Sequence, residues 1–124
     1  MHLHRGNTQS NLEFLKKTSL LKHPKKILEI GAGSGYLVNY LKIKGYYVIG
    51  CETNEDYIDF AKNHFGLNLV KVSDSILPFD NSFFDIVISF DVFEHISNSD
   101  KHLQEIKRVL KPGGYYLLGT PNKL

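Results

Sequence analysis

The sequence predicts an α/β fold, a three-layer sandwich around a mostly parallel sheet, and three observations predict it. Short β-branched or aromatic runs alternate with amphipathic helical segments, joined by short connections. The run Phe84 to Phe90 (FDIVISF) is almost wholly apolar, as a central parallel strand covered on both faces requires. Gly31, Gly33 and Gly35 cluster where the first core strand passes into a helix, and ligands of open α/β sheets bind beyond such carboxyl ends.

The elements follow in order along the chain. Thr8 to Lys22 places Leu12, Leu15 and Leu20 at helical spacing, and His23-Pro24 ends that helix. Residues 1–25 therefore read as an N-terminal helix and lead-in segment, and 26–124 as the core domain. Lys26 to Ile30 is the first strand. Ser34 to Lys44 carries Leu37, Tyr40, Leu41 and Ile43, an amphipathic helix closed by Gly45. Tyr46 to Cys51 is the second strand. Asn54 caps a helix running to about His64, and Gly66 terminates it. Leu67 to Val72 reads as a third strand, and Ser73 to Asn81 as a loop too short for a full crossover helix. Phe84 to Phe90 is the fourth strand. Asn98 to Leu110 is a helix, Lys111-Pro112-Gly113-Gly114 a turn, and Tyr115 to Gly119 a fifth strand.

Composition narrows the class. Of 124 residues, 42% are hydrophobic and 23% charged, ordinary values for one folded domain and against disorder. Fifteen Lys and Arg against thirteen Asp and Glu leave a formal charge of +2, too balanced to argue for nucleic acid or an anionic membrane. One cysteine, Cys51, excludes an intramolecular disulfide and a cysteine-built zinc site. No apolar run reaches the ~18 residues of a membrane helix, and no signal-peptide pattern opens the chain. The expectation is a small cytoplasmic domain.

The strand ends carry the chemistry. Gly31-Ala32-Gly33-Ser34-Gly35 allows a tight turn with positive φ and lets a ligand approach bare backbone at a helix N-terminus. The third glycine comes one residue before the dinucleotide-binding spacing, where Tyr36 stands, which argues against an NAD-linked oxidoreductase. Glu52 ends the second strand beside that loop, where a carboxylate can accept both hydroxyls of a ribose; the other reading is a solvated helix-start glutamate. Asp74 and Ser75 follow the third strand, as acceptors for an adenine amine or as plain turn residues. Phe90 and Asp91 end the fourth strand, facing the polar, cationic end of a ligand. His95 is the best-placed proton acceptor, with a helix-start histidine bonded to backbone as its alternative. Cys51 reads as a small buried hydrophobe.

At these residues the chain resembles class I, Rossmann-like S-adenosylmethionine-dependent methyltransferases of the type 11 branch. The carriers are Ile27-Leu-Glu-Ile-Gly-Ala-Gly-Ser-Gly35, Gly50-Cys-Glu52, Asp74 with Leu77-Pro-Phe-Asp-Asn-Ser-Phe-Phe-Asp85, Phe90-Asp-Val-Phe-Glu-His95, and Arg108-Val-Leu-Lys-Pro-Gly-Gly114. The resemblance implies that Glu29, Gly31, Ala32, Gly33 and Gly35 shape the loop against the methionine part of S-adenosyl-L-methionine. It implies that Glu52 binds the ribose with Thr53 beside the adenine, that Asp74 and Ser75 address the adenine edge, and that Phe90 and Asp91 line the methionine side. The acceptor it implies is an oxygen of a small molecule. Asp91, Glu94 and His95 also resemble the acid-acid-histidine stretch by which some relatives hold a divalent cation, although no metal is expected here.

The family sheet normally has seven strands, the last two forming a hairpin beyond the fifth. That hairpin has no counterpart here, so the fifth strand is expected to leave an open edge through which a second copy or a partner pairs. The alternatives to a complete enzyme are a non-catalytic cofactor-binding or partner-recruiting module, or a fragment needing a further C-terminal part.

Overall fold

A computed structural model of the chain describes residues 1–7, 13, 25–73, 76–90 and 99–120. Among these residues six strands form one sheet: β1 (His2–Asn7), β2 (Lys26–Ile30), β3 (Tyr47–Glu52), β4 (Val70–Lys71), β5 (Phe84–Phe90) and β6 (Leu110–Thr120). Their order is β1-β6-β5-β2-β3-β4, with every neighbouring pair parallel. The helices are α1 (Tyr36–Ile43), α2 (Glu55–Phe65) and α3 (Ser99–Val109). The N-terminal helix expected over Thr8 to Lys22 lies outside the described residues, Glu13 excepted.

The sheet divides two apolar layers, and strand alternation decides which side chain enters which. On one face Ile27, Ile86, Ile88 and Leu117 pack with Val38 and Leu41 of α1 and Ala61 of α2. On the other, Leu28, Val87 and Tyr116 pack with Ile106 and Val109 of α3. The expected three-layer sandwich is therefore present, and β5 is covered on both sides as its apolar run requires.

α2 follows its sequence signals closely. Asn54 Oδ1 accepts from the N–H groups of Asp56 (2.8 Å) and Tyr57 (3.3 Å), satisfying two donors of the first turn. Glu55 and Asp56 sit at the positive end of the helix and Lys62 and His64 at the negative end, and Gly66 closes it in a left-handed conformation.

Three expectations need correction. His2–Asn7 is a strand, paired in parallel with β6 from His2↔Tyr115 to Asn7↔Thr120, so the fifth core strand does not have an open edge. Among the described residues, the outer strands of the sheet are β1 and β4. The third core strand is shorter than its apolar pattern, because only Val70 and Lys71 pair in register with β3; Leu67 and Leu69 turn into the α1–α2 layer instead. The Lys-Pro-Gly-Gly turn does not precede the last strand but interrupts it. Phe84 pairs with Leu110 and Ile86 with Tyr115, so 111–114 bulge out of β6 opposite Asp85, with Gly113 at φ 77°.

Gly50 in β3 is fixed by close packing. A Cβ there would lie 2.7 Å from Val38 Cγ2, 2.8 Å from Leu69 Cδ2 and 3.0 Å from Ala32 Cβ. Gly50→Ala is expected to cost about 1–3 kcal/mol through overpacking, read as a lowered midpoint in denaturant melts. An unchanged midpoint would mean that α1 moves off the sheet freely.

Candidate functional site

Two turns meet at the carboxyl ends of β2 and β3. After Ile30 the chain passes through Gly31, Gly33 and Gly35 at φ 72°, 58° and 88°, all in the region that disfavours L side chains. The N–H groups of Gly31 and Ala32 both donate to the Cys51 carbonyl, at 3.0 and 2.9 Å, lacing the loop to the tip of β3. Gly35 donates to the Ala32 carbonyl at 3.0 Å and its own carbonyl accepts from Asn39 at 2.8 Å, which starts α1. No side chain caps that start, and a Cβ on Gly33 would meet nothing within 4 Å. The loop thus offers bare backbone and uncapped N–H groups to an electronegative ligand.

Glu52 ties the two turns together. Its side chain is buried, with 7% of the residue exposed. Oε1 accepts from the Gly33 N–H at 2.7 Å. Oε2 accepts from the N–H groups of Thr53 and Asn54 at 2.8 and 2.9 Å and from the Thr53 hydroxyl at 3.4 Å. A carboxylate oxygen has two lone pairs, so Oε2 is fully used and Oε1 keeps one free. A diol binding here takes that remaining lone pair and competes with the backbone donors for the rest.

Glu29 lies on the same face of the sheet, since β2 and β3 pair Glu29 with Gly50 and Ile30 with Cys51. It is 3% exposed, and its Oε1 has no hydrogen-bond partner. Burial, and secondarily the nearby Glu52 charge, push its carboxyl well above the ordinary range. The site therefore holds a buried acid with an unfilled acceptor next to an occupied carboxylate. The Cys51 thiol is pushed up to about 12, first by burial, so it stays protonated and packs as a hydrophobe.

The structure brings together Glu29, Gly31, Ala32, Gly33, Gly35, Glu52 and Thr53. Asp74, Ser75, Asp91, Glu94 and His95 lie outside the described residues, and for Phe90 only the backbone is described, at the end of β5. Sequence reading missed Ser89, fully buried at the same strand end with its Oγ unpartnered. The run FDIVISF conceals it, because a serine at the end of an apolar strand carries no distinct periodic signal.

Comparison with known proteins gives concordant results. A family model described as "Methyltransferase domain" matches residues 28–118. The chain is 30% identical over 117 residues to a ubiquinone biosynthesis O-methyltransferase of Coxiella burnetii, covering 90% of this chain and 50% of that protein. Among solved structures, a Pyrococcus horikoshii OT3 protein superposes with a TM-score of 0.70 at 28% identity, over 89% of this chain and 56% of that one. A SAM-dependent methyltransferase from Aquifex aeolicus matches with a TM-score of 0.63 at 28% identity, over 83% and 62%. The chain spans about half the length of the curated relative it matches. Among the described residues, no helix is long and apolar enough to cross a membrane.

Proposed function

Because the chain belongs to the methyltransferase-domain family, whose S-adenosylmethionine-dependent members share its fold, we propose that it binds S-adenosyl-L-methionine over the glycine loop and transfers the methyl group to an oxygen of a small molecule. One observation carries the reading: Glu52, at the ribose position, is bonded to the glycine loop itself, beside the unfilled Oε1 of Glu29. An adenosyl ligand with an ammonium at its far end has groups for both. Ribose hydroxyls suit Glu52, and the amine suits a buried acceptor that otherwise lacks a partner.

The cofactor supplies an already activated methyl group. The chain's own residues have to orient and to move one proton. Gly31, Ala32, Gly33 and Gly35 form a wall without side chains, so the ligand lies against backbone; Thr53 sits beside the adenine. Asp74 and Ser75 address the adenine edge, Phe90 and Asp91 the methionine side. His95 would accept the proton that an acceptor hydroxyl gives up as it takes the methyl group. Holding three atoms in line supplies much of the rate, up to ~7–11 kcal/mol in favourable intramolecular cases. The oxygen acceptor is favoured by the relative named an O-methyltransferase. The setting proposed is cytoplasmic, in keeping with the free, buried Cys51.

The test is calorimetric titration with S-adenosylhomocysteine, followed by a methyl-transfer assay on small phenolic acceptors. Binding with transfer is the expected result. Binding without transfer to any acceptor, alone or with a complementing partner, would replace the enzyme with a cofactor-binding module. Binding of a nicotinamide dinucleotide but not S-adenosylhomocysteine would overturn the cofactor reading.

A further inference from the structure

The formal charge of +2 conceals an uneven distribution along the strand axis. Every neighbouring strand pair is parallel, so the amino ends lie together, at the opposite end of the sheet from the glycine loop. α1 returns from that loop and ends there in Lys42-Ile43-Lys44, just ahead of β3. Lys26 opens β2 and pairs in register with Tyr47, and Phe83 directly precedes β5. Lys26 Nζ stands 4.2 Å from the centre of the Phe83 ring and 5.8 Å from that of Tyr47, and the two rings lie 6.2 Å apart. Lys44 Nζ stands 5.6 Å from the centre of the Tyr40 ring. The neighbouring acids are already engaged. Asp85 accepts from the Lys26 N–H at 2.9 Å and faces Lys111 Nζ at 3.4 Å, and Asp80 lies near Arg108.

A lysine in the last turn of a helix needs no partner to explain it, since Lys42 suits the negative end of the α1 dipole. The apolar side chains beside it are not explained that way. Ile43 is 74% exposed, Tyr47 50% and Tyr40 36%. Single exposed apolar residues are ordinary, but these three fall within the run Tyr40 to Tyr47, among Lys26, Lys42 and Lys44. Tyrosine, lysine and an aliphatic tip together suit a boundary between water and lipid: ring and stem enter the apolar side, while hydroxyl and ammonium stay with the headgroups. A nucleic acid fits less well, because Lys26 and Lys44 already lie over rings that would have to stack on bases. A second copy meeting this face with its own would set lysine against lysine.

We propose that this face, Lys26, Tyr40, Lys42, Ile43, Lys44 and Tyr47, seats the chain on an anionic phospholipid surface. Ile43 and the two tyrosines enter the headgroup boundary, and the three lysines hold the lipid phosphates. The contact is peripheral and needs no spanning helix. Because the face lies at the amino ends of the strands, the glycine loop and Glu52 at the carboxyl ends stay turned to water. The inference stands apart from the cofactor reading, since no residue of this face belongs to that site.

The experiment is flotation of the full chain with vesicles of phosphatidylcholine alone and with vesicles of equal parts phosphatidylcholine and phosphatidylglycerol. Three lysines at about fivefold each predict a preference for the mixed vesicles of about a hundredfold, falling as salt is added. The double variant Lys42→Gln, Lys44→Gln is expected to partition about 25-fold more weakly, and Ile43→Ser about tenfold more weakly through lost apolar burial. Denaturant midpoints of both variants are expected to stay at that of the unmodified chain, which separates loss of the contact from loss of the fold. These readouts do not involve the cofactor, so a failure of S-adenosylhomocysteine binding leaves the test standing. Equal partition onto both kinds of vesicle, or onto neither, overturns the proposal. An unchanged partition in Ile43→Ser overturns it too, leaving only attraction between lysine and phosphate. Binding of polyuridylate without binding to vesicles would make the face a nucleic-acid surface instead. If the double variant does not fold, Ile43→Ser and the salt dependence of the unmodified chain decide, and a salt-independent partition overturns the proposal equally.

Discussion

Glu52→Ala is expected to weaken S-adenosylhomocysteine binding by about 10- to 100-fold, as losing one or two hydrogen bonds to a charged acceptor implies. The substitution acts on the fold too. The N–H groups of Gly33, Thr53 and Asn54 all donate to this one carboxylate, and removing it leaves three donors to find water. A stability loss of about 1–3 kcal/mol follows from orphaned, partly buried donors. The two effects separate by measuring denaturant midpoints and calorimetric affinity on the same variant. Glu52→Gln keeps an amide oxygen that can serve Gly33, so it should recover more stability than affinity. An Ala variant with a lowered midpoint but unchanged affinity would make Glu52 a staple between loop and strand, with no part in the ligand site.

Glu29 gives the second large effect, visible in pH dependence. Its carboxyl is raised above the ordinary value of 4.5, chiefly by burial and then by Glu52. Below that value both folded and unfolded chains hold the proton, and Glu29 makes no difference between them. As pH rises above it, the unfolded chain ionises while the folded chain keeps its proton, so stability is progressively lost up to the raised pKa. Glu29→Gln removes this loss. Its stability should match that of the unmodified chain in acid and exceed it at neutral pH, because the amide has no proton to lose as the unfolded chain ionises. Melts across the acid-to-neutral range decide it, and parallel curves would contradict the burial argument.

Ligand binding should show the opposite sign. An ammonium placed against Glu29 favours the ionised form, so S-adenosylhomocysteine binding releases a proton and affinity rises with pH until Glu29 is ionised. Glu29→Gln should bind more weakly at neutral pH and lose that slope. Titrations in buffers of different ionisation heat count the proton directly. Binding without proton release would move the amine away from Glu29.

Much of this site was legible along the chain because its signals are local. Three glycines in five residues permit left-handed backbone where a side chain would not, and Asn54 is a strong cap for the helix that follows it. The acid at the tip of the second core strand was legible as well, since strand length alone carries it to the loop's height. Its bonding was not. That Oε1 meets the Gly33 N–H at 2.7 Å depends on the β2–β3 register, a pairing between segments about twenty residues apart. Likewise, Glu29 reads as a polar break in a strand; only packing on the α1–α2 side makes it a buried acid.

The sequence by itself determined the alternation of elements, the parallel sheet with β5 buried on both faces, the glycine loop and its acidic neighbour. These rest on periodicity and backbone propensity, which each segment carries within itself. Only the tertiary structure decided that His2–Asn7 becomes a strand. HLHRGN has no apolar alternation, and its strand exists because the free edge of β6 offers it backbone partners. Tertiary structure also decided that Arg108 reaches across 29 positions to Phe79, and that four residues bulge from β6. In each case the deciding energy lies in hydrogen bonds between groups far apart along the chain, which no local pattern encodes.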